Sequence, residues 1–141
     1  MSTYFISTTL PSSTKDLLSL YESVGWTELA ADPEGLVTAL NNSTFIACAW
    51  SSRGTLIGLA RVLSDEATVC YLQEILVHPD YQRTGVGRAL FAKVAQQFDH
   101  VPQIVAVADA SPGQRAFFLA LGLSSGADLA AGPKAVFTQV R

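Results

Sequence analysis

The sequence predicts a mixed α/β domain in which an antiparallel meander is joined to a parallel β-α-β step. Three observations carry this. Strand-like runs at 45–50, 56–63 and 68–77 follow one another across short polar turns. Apolar residues then recur at helical spacing over 86–98 and lead into an apolar run at 104–108. The 141 residues are 49% hydrophobic and only 15% charged, against about 25% charged in an ordinary domain, so a sizeable core can form. No repeat, low-complexity tract or linker divides the chain, and residues 3–141 read as one domain.

Each element has a local cause. Residues 3–8 are β-rich and short enough for a first strand. Ser13 and Asp16 are spaced like a capping box at the start of a helix. Leu17, Leu20, Tyr21 and Val24 are its apolar face, and Gly25 suits its C-terminal stop. Asp32-Pro33, a capping residue followed by proline, opens a second helix that Asn41-Asn42 ends. In the meander, Ser51-Ser52-Arg53-Gly54 and Ser64-Asp65-Glu66 are the turns, and Pro79 stops the third strand because it cannot extend a ladder. Val86, Leu90, Val94 and Phe98 lie four apart on the next helix. Residues 104–108 read as a strand buried on both faces, 112–121 as a helix closed by Gly122, and 135–140 as a final strand.

Composition also excludes function classes. The net charge is −3 and the few basic residues are scattered, which argues against nucleic acid as a partner. No run of apolar residues is long enough to span a membrane, and the N-terminus lacks a signal-peptide pattern, so a soluble cytoplasmic protein is expected, with no membrane partner. Cys48 and Cys70 sit in strand-like runs and read as small buried hydrophobes. His78 and His100 lack metal-ligand spacing, and no metal is expected.

The segment that carries chemistry runs from Leu72 to Leu90. A strand enters a short loop with glycines two apart, Gly85 and Gly87, and then a helix. Glycines let the backbone approach a ligand, and the free N–H groups of the first helical turn favour an anion. Arg83 and Arg88 add positive charge there. The loop lacks the Lys-Ser/Thr pair of a P-loop and the third glycine of a dinucleotide fold. Spacing alone leaves two readings, an anion site or a tight turn without a ligand.

Gln82-Arg83-Thr84-Gly85-Val86-Gly87 matches the Q/R-x-x-G-x-G/A signature of the GNAT superfamily of N-acetyltransferases. Val77-His78-Pro79-Asp80-Tyr81 resembles the V-x-P-x-Y that leads into it, and Phe117-Phe118-Leu119-Ala120-Leu121-Gly122-Leu123 the late F-Y-x-x-L-G-F. Residues 58–65 are similar to small bacterial members and to plant serotonin N-acetyltransferases. The resemblance implies the GNAT fold with a splayed central sheet, and acetyl-CoA as acetyl donor. It implies that the backbone of Ile75, Leu76 and Val77 pairs with the pantetheine. The amides of Gln82, Arg83, Thr84, Gly85, Val86, Gly87 and Arg88 would hold the pyrophosphate. Core packing is the plainer job of Ile75 and Val77, and both can hold.

The implied reaction is attack of a neutral primary amine, from a small molecule or from a peptide or protein, on the thioester in a ternary complex. It needs a base, an oxyanion donor and an acid for the thiolate. The family's acid is the tyrosine of F-Y-x-x-L-G. Phe118 stands there and has no proton to give, so a catalytically weak or idle acyl-CoA-binding or sensing protein is the alternative. Ser111 stands where relatives carry an asparagine that contacts the pantetheine. For the base, strict alternation puts Tyr71, Gln73, Ile75 and Val77 on one face and Cys70, Leu72, Glu74 and Leu76 on the other, unless a β-bulge intervenes. Glu74, Tyr71 and Asp109 are the candidates. Against these stand a structural carboxylate, a core aromatic and a turn or cap residue, respectively. Trp26, Asp32, Asp65 and Glu66 are candidates to border the acceptor, or solvated loop residues. Oligomeric state, including a homodimer, stays open.

Overall fold

In a computed structural model, which describes residues 3–141, strand β1 (Tyr4–Ser7) is followed by three helices, α1 (Thr14–Ser23), α2 (Thr27–Ala30) and α3 (Pro33–Asn41). The meander comes next: β2 (Phe45–Ser51), β3 (Leu56–Ser64) and β4 (Cys70–Val77). Helix α4 (Val86–Gln97), strand β5 (Ile104–Ala106) and helix α5 (Pro112–Ala120) complete the regular elements, with short 3-10 turns at Pro79–Tyr81 and Gly126–Asp128. The described residues fall into two compact units, one ending at Ala106 and the other Val107–Arg141.

The first unit is built on one mixed sheet of order β1-β2-β3-β4-β5. The first three pairings are antiparallel and β4 to β5 is parallel, so the meander and the β-α-β step are both present. One face packs on α1–α3: Leu17, Leu20, Tyr21, Leu36 and Leu40 meet Ile46, Cys48, Leu59 and Leu76. Side chains such as Leu20 and Leu59 have no more than 1% of their surface exposed, and each such burial stabilises by about 1.5–3 kcal/mol. The other face takes α4, whose Val86, Leu90 and Val94 are buried. No helix among the described residues is long and apolar enough to cross a membrane.

The caps act where the sequence places them. Ser13 Oγ accepts from the Asp16 amide, and Asp32 Oδ1 from Gly35. Gly25, at φ +85°, lets α1 end in a Schellman turn: Gly25 N donates to Glu22 O and Trp26 N to Tyr21 O. Asp65 holds its turn by accepting from the amides of Ala67, Thr68 and Val69 and from the Thr68 hydroxyl. That hydroxyl first, then those amides, hold the Asp65 carboxyl below the usual carboxylate range.

Three expectations are corrected. Helix α2 is absent from the sequence reading because it is a single turn whose N-terminal residue, Trp26, makes no side-chain cap. Strand β5 spans three residues, Ile104–Ala106, and all three are half-buried rather than buried; it is an edge strand whose partner within the sheet is β4. Residues 135–140 form no strand, and Phe137 is 92% exposed. A β-rich composition supplies an extended shape, but a strand exists only with a ladder partner.

Candidate active site

Strand β4 is paired from end to end on one flank except at Gln73, and over part of its length on the other. Toward β3, Val77 opposes Gly58, Leu76 opposes Leu59 and Ile75 opposes Ala60. Toward β5, only Cys70, Tyr71 and Leu72 find partners, at Ile104, Val105 and Ala106. From Gln73 to Val77 that flank carries no strand pairing among the described residues. Apart from Val77 O, which accepts from Gln82 Nε2, this flank offers backbone groups that an added extended chain can pair with. Ile75 and Val77 are half-buried and Leu76 belongs to the core.

The loop that follows is internally braced. His78 Nδ1 accepts from Asp80 N at 3.1 Å, Gln82 Nε2 donates to Val77 O at 3.1 Å, and the Thr84 hydroxyl donates to Tyr81 O. Arg83 takes φ +62° and Gly85 φ +91°, so two left-handed residues swing the chain into α4. The helix starts at Val86 with Gly85 as its N-cap, and glycine has no side chain to cap it. Helices α1, α3 and α5 differ, because Ser13, Asp32 and Ser111 each accept an amide of their own first turn. At α4 the amides of Val86, Gly87 and Arg88 lack both an intrahelical acceptor and a side-chain cap. They open where 82–85 are exposed, and the helix dipole favours an anion there. Residues 75–77 and 82–88 thus form one continuous strand–loop–helix edge.

Glu74 lies at the centre of a buried polar cluster. It opposes Arg61 in the β3–β4 ladder, and Arg61 Nη2 reaches its Oε1 at 2.7 Å. The Tyr21 hydroxyl, from α1, donates to Oε2, and Arg61 Nη1 donates to Ser43 Oγ at 3.4 Å. Tyr21, Glu74 and Arg61 are 0%, 7% and 9% exposed. Burial, reinforced by the Glu74 charge, pushes the Tyr21 phenol well above its usual range, so it stays protonated as a donor. Burial works against the Arg61 charge, but the hydrogen bond and charge of Glu74 outweigh it and hold the guanidinium above its ordinary value. Arg61 Nε is buried without a partner among the described residues.

A β-bulge changes which side chains share a face. Arg61 opposes Glu74 while its neighbour Val62 opposes Leu72, so Gln73 is an extra residue on β4. Opposed residues share a face, and Arg61 and Leu63 are two apart on β3. Glu74 and Tyr71, which opposes Leu63, therefore both lie on the face covered by α1–α3. Leu72 moves to the opposite face with Val62. Strict alternation placed Tyr71 opposite Glu74, and the bulge reverses this.

Asp109, Ser111 and Phe118 lie in the second unit. Asp109 is exposed. Ser111 is the N-cap of α5, its Oγ accepting from Gln114 N at 3.3 Å. Phe118 is half-buried, stacked edge-on against Phe117 with centroids 5.2 Å apart, and its carbonyl accepts from Leu123 N. The acceptor-border candidates have structural tasks. Trp26 packs on Tyr21, Asp32 caps α3, Asp65 braces its turn, and Glu66 pairs with His100 at 3.4 Å. Sequence reasoning missed Tyr21 and Arg61 as members of the site. One signal was available: an arginine inside Leu59-Ala60-Arg61-Val62-Leu63 needs a buried counter-charge, and the next strand of the meander carries one acid.

Cys48 and Cys70 are fully buried, and burial pushes their thiols up to about 12 and about 11. Neither is a nucleophile. Both should resist a thiol reagent at mildly alkaline pH in the native protein and react once urea unfolds it. Fast labelling of the folded chain would contradict this.

A model of the acetyltransferase (GNAT) family matches residues 12–123. An uncharacterized N-acetyltransferase, ycf52 of Gracilaria tenuistipitata var. liui, is 30% identical over 99 residues, 67% of this chain and 53% of that protein. The chain thus spans about half that relative's length. Among solved structures, an acetyltransferase, GNAT family protein, from Streptococcus pneumoniae TIGR4 superposes with a TM-score of 0.77 at 25% identity, covering 100% of both chains. The aminoglycoside N-acetyltransferase AAC(6')-Iy, solved in complex with CoA, superposes with a TM-score of 0.68 at 19% identity over 100% of this chain and 97% of that one.

Proposed function

The chain belongs to the GNAT acetyltransferase family, and from that premise we propose that residues 3–141 act as one N-acetyltransferase domain, moving an acetyl group from acetyl-CoA to a primary amine. The observation that carries this reading is the uncapped start of α4 beside the unpaired flank of β4. A molecule with a pyrophosphate at one end and an amide-bearing arm at the other fits that pair of features. A solved relative of the same fold is recorded with CoA.

In this reading the backbone of Ile75, Leu76 and Val77 holds the pantetheine arm as an added strand. The amides of 82–88 hold the pyrophosphate, aided by the Arg83 and Arg88 charges. Each dipole interaction is worth only about 0.3–1 kcal/mol, so several amides must converge. The amine nitrogen attacks the thioester carbonyl, the C–S bond breaks, and the ammonium proton passes to a base. Of Glu74, Tyr71 and Asp109, Glu74 has the best-defined carboxylate. Tyr21 and Arg61 occupy two of its roughly four lone-pair sites, and the remaining sites take the proton directly or through water. Tyr71 shares its face and is the runner-up.

Thiol release from acetyl-CoA, measured against a panel of small amines and peptides, tests the proposal. Release that no acceptor accelerates, from a protein that still binds CoA, would favour the idle acyl-CoA binder. Phe118 is the observation behind that alternative. Phe118→Tyr should raise turnover, most clearly near and above neutral pH where the solvent supplies few protons to the thiolate, with little change in Tm because the position is half-buried. A lower Tm with no rate gain would place the position away from the sulfur.

A further inference from the structure

We propose that Tyr4 and Gly58 are positioning residues for the pyrophosphate, setting how closely the first turn of α4 is held to the end of β4. This rests on the acetyl-CoA reading above. A cradle of backbone amides works only at a fixed distance from the strand that holds the rest of the ligand, and two contacts outside the loop fix that distance. The first is the Tyr4 hydroxyl on edge strand β1, which donates to Gly85 O at 3.3 Å. The same carbonyl accepts Ala89 N at 3.0 Å, so Tyr4 grips the N-cap residue that begins the helix.

The second contact is the missing side chain of Gly58. It opposes Val77, the last residue of β4 before the loop. A Cβ there would stand 3.0 Å from Leu90 Cδ1, 3.1 Å from Val86 Cγ1 and 3.3 Å from Leu76 O. Val86 is the first residue of α4 and is 1% exposed, so the crowding falls on the turn that carries the free amides. Glycine at 58 lets α4 seat against β3 directly beside the strand–loop junction. A Cβ there makes the Leu90 and Val86 side chains give way by a few tenths of an ångström, and in this proposal the first turn of α4 moves with them.

The test compares two donors. Acetyl-CoA carries the pyrophosphate, whereas acetyl-pantetheine keeps the thioester arm and lacks it. A misplacement of a full ångström can cost about 10²-fold, so Gly58→Ala should raise the KM for acetyl-CoA and the Kd for CoA by about 3–10-fold. Tyr4→Phe removes one hydrogen bond and should raise both by about two- to fivefold with the ring, and so the fold, retained. Tyr4→Phe should leave kcat/KM for acetyl-pantetheine unchanged, and Gly58→Ala should lower it by less than it lowers kcat/KM for acetyl-CoA, since its Cβ also meets Leu76 O. Equal losses with both donors would mean general damage and overturn the proposal. Unchanged CoA affinity in Tyr4→Phe and Gly58→Ala would overturn it as well, and would leave the enzymatic reading standing. Wild-type protein that binds no CoA in calorimetry would instead sink the functional reading, and this inference with it.

Discussion

Glu74→Gln should lower stability by about 3–5 kcal/mol and slow turnover by about 10²–10⁴-fold. The amide keeps the carboxylate's shape and can still accept from the Tyr21 hydroxyl. It removes the charge that faces Arg61 Nη2 at 2.7 Å, so a guanidinium only 9% exposed is left uncompensated. Losing one partner of a buried pair costs more than the pair contributed, because the survivor has already been stripped of water. Urea unfolding should show a lower midpoint at an unchanged slope.

The two effects can be separated. In Glu74→Gln with Arg61→Met, no orphan charge remains, and stability should largely return because apolar residues often replace buried ion pairs without loss. Turnover should stay low if Glu74 accepts the proton. If turnover returns with stability, Glu74 is a clamp between β3, β4 and α1, and Tyr71 or Asp109 takes the role of base.

Gly87→Glu should raise the Kd for CoA at least about tenfold, or about 1.4 kcal/mol. Here stability and binding are expected to move in opposite directions. Gly87 is the second residue of α4, where a carboxylate complements the helix dipole and any side chain improves on glycine's helix propensity. The folded state should therefore be as stable as the wild type or more so. The same carboxylate would occupy the space in front of the free amides and repel a pyrophosphate. Calorimetry with CoA on a variant of unchanged Tm is the decisive measurement. Unchanged affinity would remove the phosphate-loop reading and leave Gly85 and Gly87 as a tight turn.

Most of the architecture was legible because its signals are local. Ser13, Asp32-Pro33 and Gly25 mark helix ends through hydrogen bonds that span three to five residues, so the sequence carries both partners side by side. The loop after β4 was legible for the same reason. Gly85 at the N-cap leaves the amides of α4 free, and this can be read from the glycine spacing without knowing the rest of the fold. The short turn α2 had no such marker: its N-cap, Trp26, caps nothing with its side chain and packs its ring on Tyr21.

What the sequence determined by itself, then, is the antiparallel meander with its parallel step, the helices that carry end signals, and the place of the candidate phosphate loop. Their causes lie within one helical turn or one strand period. Only the tertiary structure decided the register. Whether Tyr71 and Glu74 share a face depends on one unpaired residue, Gln73, and a bulge is a property of two strands rather than of either alone. The same holds for the Arg61–Glu74–Tyr21 cluster, whose members are 13 and 53 residues apart and meet only when β3, β4 and α1 are assembled. It holds in reverse for residues 135–140. Their β-branched and aromatic residues, Val136, Phe137, Thr138 and Val140, favour an extended chain, but a strand forms through hydrogen bonds to a neighbour, and no composition within a segment supplies one.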